Sequence, residues 1–183
     1  MIEWDSNITA QCMKGDRKAQ MQLYKTFYKR IYNSCFRILR DRYEAEDAMQ
    51  ESFLKVFSKL GIYEDSIPFE AWIVRIAINT SIDRLRENRP EFTGYGDDAM
   101  SNRIDETGED EDEMELIREK AMQVKAAIEQ LTGRARLIVT LYLMEGYDHE
   151  EIAGILKMQP GTVRVQYMRA KQKLIEIIKN NGK

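Results

Sequence analysis

The sequence predicts an all-helical fold, organised as two small helical domains joined by an acidic flexible linker. Apolar residues recur at steps of three and four along most of the 183 residues, and no window alternates convincingly with a period of two. Only three prolines and ten glycines interrupt the chain. The third observation is an uneven distribution of charge, which divides the chain at residues 91–115.

The acidic segment, residues 91–115, holds one basic residue against eleven acidic ones. Residues 1–90 hold 15 against 13 and residues 116–183 hold 12 against 7, so two mildly basic segments flank it although the formal net charge is −3. The segment has too little apolar content to fold alone, so we expect a flexible linker whose simplest role is a solubilising tether. We therefore predict domains at 1–90 and 116–183.

Two further features of the composition narrow the class of protein. No run of 18 apolar residues occurs, and the N-terminus lacks a basic-then-apolar signal, so we expect a soluble cytoplasmic protein. Cys12 and Cys35 lie among helical apolar residues without the spacing of a metal site, so we expect reduced core thiols and no metal or other cofactor.

Three helices are predicted in the first 60 residues. A short helix covers Ser6–Met13, a long amphipathic helix covers Arg17–Leu39, and a third follows the break at 40–42 and ends near Leu60. The third helix has polar residues and one apolar neighbour opposite its buried stripe, a set that we call the docking patch: Asp47, Gln50, Glu51 and Leu54. Taken alone, this pattern is typical of an ordinary solvated helix face.

A fourth helix, from Phe69 to about Asn88, follows a loop at Gly61–Pro68. Beyond Ile78 only one of its sides stays apolar. The opposite side carries Asn79, Thr80, Asp83, Arg84 and Glu87, with Arg86 and Arg89 adding positive charge. Asn and Thr can form hydrogen bonds with base edges and Arg can bind phosphates, so this face is a candidate nucleic-acid reader. Arginines that complement the helix dipole on a solvated face are the alternative.

The last 68 residues predict four helices, of which the final pair reads as a helix-turn-helix. Helices at 116–130 and 134–144 come first, with a break at 131–133 and Gly146 as C-cap. Asp148 and Glu151 then form a capping box, 157–159 make a tight turn, and Pro160 occupies the first position of the last helix.

The outward face of the last helix is polar to basic, whereas Val163, Tyr167, Ala170 and Leu174 face inward. The outward face and its flanks carry Gly161, Thr162, Arg164, Val165, Gln166, Met168, Arg169, Lys171, Gln172 and Lys173. Such a helix suits the DNA major groove, although a helical hairpin with a solvated basic face has the same pattern.

Taken together, these segments resemble an extracytoplasmic-function (ECF) sigma factor of the sigma-70 family over nearly the whole chain. The resemblance rests on three motifs in order: DAMQESFLKVFSKL, FEAWIVRIAINTSIDRLR and LTGRARLIVTLYLMEGYDHEEIAGILKMQPGTVRVQYMRAKQKL. It implies an RNA polymerase subunit that confers promoter specificity and directs transcription initiation without catalysis of its own. It also implies an anti-sigma factor as a partner, and a linker that threads toward the polymerase cleft.

The resemblance assigns a role to each candidate surface. The docking patch, Asp47, Gln50, Glu51 and Leu54, matches the family's contact with core RNA polymerase. The family's −10 promoter reader corresponds here to Asn79, Thr80, Asp83, Arg84 and Arg86. The loop 61–68 corresponds to the family's segment that captures a flipped base of the melted non-template strand. The −35 duplex reader matches Gly161, Thr162, Arg164, Val165, Gln166, Arg169 and Lys171.

Some residues depart from the family pattern. Val165 and Gln166 stand where Ser and Arg are usual, Gln159 replaces a serine cap, and Thr132-Gly133 replaces Pro-Glu. We therefore expect an altered −35 preference, set chiefly by Val165 and Gln166.

Two other functions are compatible with parts of the sequence. A polymerase-independent regulator would use the helix-turn-helix alone, with no role for the docking patch. A helical hydrolase is the enzymatic alternative, but the single histidine, His149, stands beside acidic residues at the start of a helix without a metal-binding or nucleophile constellation, and we expect it to be solvated.

Overall fold

The computed structural model describes residues 6–64, 66–88 and 112–181, with side chains described from Ile8 and, in the second half, from Glu119. All of the regular structure in these ranges is helical, which confirms the predicted fold class. The chain divides into two compact units, residues 1–90 and 91–183. Most of the predicted linker lies outside the described residues.

The first unit contains four helices: α1 (Ser6–Met13), α2 (Arg17–Leu39), α3 (Arg42–Lys59) and α4 (Phe69–Asn88). Helices α2, α3 and α4 pack against one another around a core that includes Leu23, Phe27, Ile31, Ile73 and Ile78. Each of these positions falls on the apolar stripe that the sequence predicts for its helix.

Local signals set the helix boundaries in this unit. Asp16 Oδ1 accepts hydrogen bonds from the backbone N–H groups of Lys18 (2.8 Å) and Ala19 (2.9 Å), which caps α2. Arg40 adopts a left-handed conformation, with φ of 60°, at the C-terminus of α2. Asp41 then accepts from the N–H of Glu44 at 2.9 Å and starts α3.

The second unit contains α5 (Asp112–Gln130), α6 (Gly133–Val139), a π-helical turn at Thr140–Met144, α7 (His149–Leu156) and α8 (Pro160–Asn181). Its buried residues come mainly from α5, α6 and α8: Ala127, Ile128, Leu131, Val139, Ala170 and Leu174. Helix α8 contacts α5, α6 and α7, so it forms the centre of this unit.

Two boundaries in the second unit differ from the sequence prediction. Helix α5 begins at Asp112, four residues before the predicted start and inside the predicted linker. The predicted helix 134–144 is interrupted, because the N–H of Glu145 bonds to the carbonyl of Thr140 and closes a wider turn. Gly146 follows with φ of 78°, as its predicted capping role requires.

Both cysteines are buried thiols that form no disulfide, as predicted. Within the described ranges, no helix is long and apolar enough to cross a membrane.

Candidate functional site

The docking patch lies on the exposed face of α3. Asp47 and Gln50 are exposed, Glu51 is half-buried, and Leu54 is 70% exposed although it is apolar. Tyr43 is 83% exposed one turn before Asp47 and extends the same face. Tyr43 was not predicted from the sequence, although its position four residues before Asp47 places it on the same helix face.

Arg84 of α4 connects the two surfaces that the sequence predicts separately in the first unit. Its Nε donates to Glu51 Oε2 at 3.0 Å, and its Nη1 lies 3.5 Å from Asp47 Oδ2 and 3.6 Å from Glu44 Oε2. Three carboxylates of α3 therefore surround the guanidinium of Arg84, a pairing that the sequence pattern did not predict. Arg84 ties α4 to α3.

The charges in this cluster shift the pKa values of Glu51 and Arg84. Lys55 Nζ lies 2.7 Å from Glu51 Oε1, and this bond, assisted by Arg84 and opposed by partial burial, lowers the pKa of Glu51. Burial disfavours the charged form of Arg84, but Glu51 and Asp47 outweigh it and raise the Arg84 pKa. Both groups are therefore held in their charged forms.

Thr80 corrects the predicted reading face of α4. It is 1% exposed, its hydroxyl donates to the carbonyl of Ile76 at 2.9 Å, and it accepts from Lys55 Nζ at 3.2 Å. A buried hydroxyl with both partners satisfied is not available to a base. Threonine is compatible with either environment, so the helical pattern alone did not reveal its burial.

The remaining residues of that face are exposed or paired within α4. Asn79 and Asp83 are exposed. Arg86 Nη1 lies 3.1 Å from Asp83 Oδ1, so its charge is neutralised by a neighbour one turn away. The face therefore offers hydrogen-bonding groups with little net positive charge.

The loop before α4 is built on aromatic contacts. Residues Leu60–Ile62 form a 3₁₀ turn, and the hydroxyl of Tyr63 donates to the carbonyl of Ile67 at 2.8 Å. The Tyr63 ring lies 5.0 Å from the ring of Phe69 and 5.1 Å from that of Trp72. Residue 65, within the predicted base-capturing loop, lies outside the described residues.

The helix-turn-helix forms as predicted. Asp148 Oδ1 accepts from the N–H groups of Glu150 and Glu151 at 2.8 Å each, and Glu151 Oε2 accepts from the N–H of Asp148 at 3.1 Å, which completes the capping box. Lys157 adopts a left-handed conformation in the turn, and α8 begins at Pro160. These contacts fix where α8 starts.

The predicted −35 residues on α8 divide by exposure. Gly161, Arg164, Val165, Arg169 and Lys171 are exposed, as the sequence predicts, whereas Thr162 is half-buried. Gln166 is also half-buried, and its Oε1 is enclosed without a hydrogen-bond partner in the part of the chain that the structure describes. Gln166 therefore lies at the edge of the outward face and not at its centre.

His149 is half-buried rather than solvated, which corrects the sequence prediction. Its ring lies 4.8 Å from the ring of Tyr142 and 5.0 Å from that of Tyr167, whose pKa is raised by burial and by Tyr142. The aromatic contacts account for the burial, since imidazole packs well against aromatic rings. No cluster of His, Cys, Asp and Glu able to hold a metal occurs among the residues described.

Comparison with protein families gives two matches. Residues 23–91 match the Sigma-70 region 2 family, and residues 121–174 match the Sigma-70, region 4 family. The first match runs from Leu23 within α2 to the end of α4, and the second runs from the middle of α5 through the first two-thirds of α8.

Individual relatives align over almost the whole chain. The RNA polymerase sigma-H factor of Pseudomonas aeruginosa is 31% identical over 176 residues, covering 93% of this chain and 91% of that protein. The ECF RNA polymerase sigma factor SigW of Bacillus subtilis is 27% identical over 170 residues, covering 90% and 91%.

A solved structure shares the fold. The sigma factor RpoE in complex with the anti-sigma factor NepR from Bartonella quintana matches with a TM-score of 0.58 at 21% identity, covering 87% of this chain and 96% of that one.

Proposed function

The chain belongs to the sigma-70 family as an ECF RNA polymerase sigma factor, a transcription initiation factor and not an enzyme, and we propose that it selects promoters through two separate DNA-reading helices. The single observation that carries this proposal is that each unit places one exposed polar helix face, on α4 and on α8, opposite its own core. In this arrangement the first unit is the region 2 domain (1–90), residues 91–115 link the units, and the second is the region 4 domain (116–183).

The docking patch of α3 contacts core RNA polymerase. Its support is the combination of two exposed polar residues, Asp47 and Gln50, with the apolar Leu54 on one helix face. Glu51 contributes to the same face while it also holds Arg84. An exposed large apolar side chain beside hydrogen-bonding groups is typical of a protein interface.

The two reading helices hold different forms of DNA. Helix α4 presents Asn79 and Asp83 to the melted −10 strand, and the loop 61–68 lies beside it. Arg84 and Arg86 contribute indirectly, because they hold the carboxylates that they bind in place. Helix α8 presents Gly161, Arg164, Val165, Arg169 and Lys171 to the −35 duplex, with Thr162 and Gln166 at the edge of that face. The linker sets the separation of the units and raises the effective concentration of the second contact.

An anti-sigma protein is a further proposed partner. The solved RpoE that shares this fold is in complex with an anti-sigma factor, NepR.

Reconstitution with core RNA polymerase on a library of randomised promoters, followed by sequencing of transcript starts, tests this function. We expect transcripts that begin at a fixed distance from two enriched sequence elements. Duplex binding by the isolated chain without promoter-directed transcription would overturn the proposal in favour of a polymerase-independent regulator.

The double variant Asp47→Ala with Gln50→Ala tests the docking patch. Polymerase affinity should fall by about 5- to 30-fold, since interface residues of this kind contribute on the order of 1–2 kcal/mol together. Duplex binding by the isolated chain should not change. Affinity can be measured by fluorescence anisotropy of labelled sigma factor titrated with core polymerase.

The matched control for this experiment is Glu119→Ala with Gln123→Ala, which removes the same two kinds of group from exposed positions on α5. It should leave polymerase affinity unchanged. Equal affinities for both double variants and the parent chain would remove the patch from the interface.

A further inference from the structure

The outermost line of α8 is uncharged and partly apolar. Val163, Ala170 and Leu174 are buried and define the inward side of the helix. The positions farthest from them, spaced by four, three and four residues, are Gly161, Val165, Met168 and Gln172. Val165 is 51% exposed and Met168 is 56% exposed, so two apolar side chains stand at the centre of the face proposed to enter DNA.

Basic residues flank this line on both sides. Arg164 and Lys171 lie along one edge, Arg169 and Lys173 lie along the other, and all four are exposed. A helix in the major groove turns its outermost residues toward the floor and its flanks toward the phosphates of the two strands. The flanks of α8 therefore suit the backbone, whereas its centre suits base edges.

Val165 and Met168 offer no hydrogen bond to a base. Among the base edges in the major groove, the C5-methyl of thymine is the group that an apolar side chain recognises. We propose that Val165 and Met168 select thymines in the upstream promoter element by contact with their C5-methyl groups. This proposal rests on the proposed function of α8.

The two side chains have different mechanical properties. Valine is branched at Cβ and has a restricted χ1, so Val165 presents a fixed surface. Methionine is unbranched and adapts to irregular gaps, so Met168 accommodates a methyl over a wider range of positions. We therefore expect Val165 to discriminate more sharply by position than Met168.

Replacement of thymine by deoxyuridine tests the proposal, because it removes the methyl and leaves the hydrogen-bonding groups in place. Promoters recovered from the randomised library with the holoenzyme serve as the probe; failure to recover any would count against the sigma-factor function itself. Each thymine of the upstream element, on either strand, is replaced singly, and holoenzyme affinity is measured by competition. We expect a three- to fivefold loss at one or two positions, about the value of one buried methyl.

Variants identify the side chain at each position. Met168→Ala should lower affinity for the promoter that carries thymine, and it should abolish the difference between thymine and deoxyuridine at the base that Met168 contacts. Val165→Ala should have the same two effects at the base that Val165 contacts. Met122→Ala removes an equally exposed methionine from α5 and should change neither value. All three positions are exposed, so the fold is not at risk.

Three results would overturn the proposal. The first is equal affinity for thymine and deoxyuridine at every position. The second is an upstream element without an A·T pair. The third is a loss in the Val165 and Met168 variants that is the same on both templates, which would assign these side chains to a protein contact instead.

Discussion

The two proposed reading helices pair their cations to different degrees, although Arg164 of α8 also lies 3.6 Å from Glu150 in an exposed ion pair. On α4, Arg84 and Arg86 are paired with carboxylates of their own unit, at 3.0 Å from Glu51 and 3.1 Å from Asp83. On α8, Arg169 and Lys171 are exposed, and no ion pair is found for them within the described parts of the chain. For the proposed function, this difference assigns hydrogen bonding with separated bases to α4 and positive charge for duplex phosphates to α8.

The largest effect that tests this comparison is expected from Arg84→Met. The Arg84 side chain is only 26% exposed, and its loss removes the cation nearest to Asp47 and Glu44, while Glu51 keeps its ion pair with Lys55. We expect the free energy of unfolding of the first unit to fall by about 1–2 kcal/mol. Both tryptophans, Trp4 and Trp72, belong to this unit, so the urea transition followed by tryptophan fluorescence reports on it.

Arg169→Met is the matched control, because it removes the same charge from an exposed position. It should change stability by less than about 0.5 kcal/mol and should reduce promoter affinity. If Arg84→Met left stability unchanged and abolished transcription, Arg84 would be a direct DNA contact, and the proposed difference between the helices would be wrong.

A second, smaller effect separates buried from exposed residues within α4. Thr80→Val removes a hydroxyl that bonds to Ile76 and Lys55 but keeps the side-chain shape, so we expect a loss of about 0.5–1 kcal/mol in stability and unchanged promoter discrimination. Asn79→Ala, at the neighbouring exposed position, should leave stability unchanged and reduce promoter discrimination. Transcription from promoters that vary in the downstream element measures discrimination. A promoter-specific defect in Thr80→Val would return Thr80 to the reading face.

Helical periodicity and capping residues were sufficient to predict most of the fold. Asp148, Pro160 and Gly146 act where the sequence places them, because each is determined by its own neighbours along the chain. The π-helical turn after Val139 was not predictable, since its wider hydrogen bonding depends on how α6 packs and not on a residue preference.

The candidate sites show the same limit. Exposure of Asp47, Leu54 and Val165 followed from spacing alone. The positions of Arg84 and Thr80 did not, because they depend on which residues of α3 face α4, and a single helix pattern contains no information about its neighbour.

The smallest expected effect is the pH dependence of stability, which should differ between the two units. The pKa of Glu51 is lowered by Lys55 first and Arg84 second, so the ionised carboxylate stabilises the folded first unit above the unfolded pKa of about 4.3. This stabilisation is lost as pH falls through the lowered folded pKa. Because Glu51 is 38% exposed, we expect less than about 1 kcal/mol.

Carboxyl NMR titration of Glu51 and urea midpoints between pH 7 and pH 3 measure these two quantities. Lys55→Met should raise the Glu51 pKa more than Arg84→Met does, following the order of the two causes. Glu51→Gln should remove this part of the acid sensitivity of the first unit. Glu150→Gln, which breaks the more exposed pair with Arg164 at 3.6 Å, should leave the second unit's stability unchanged. An equal response in the two units would show that the carboxylates around Arg84 are no more than a solvated surface.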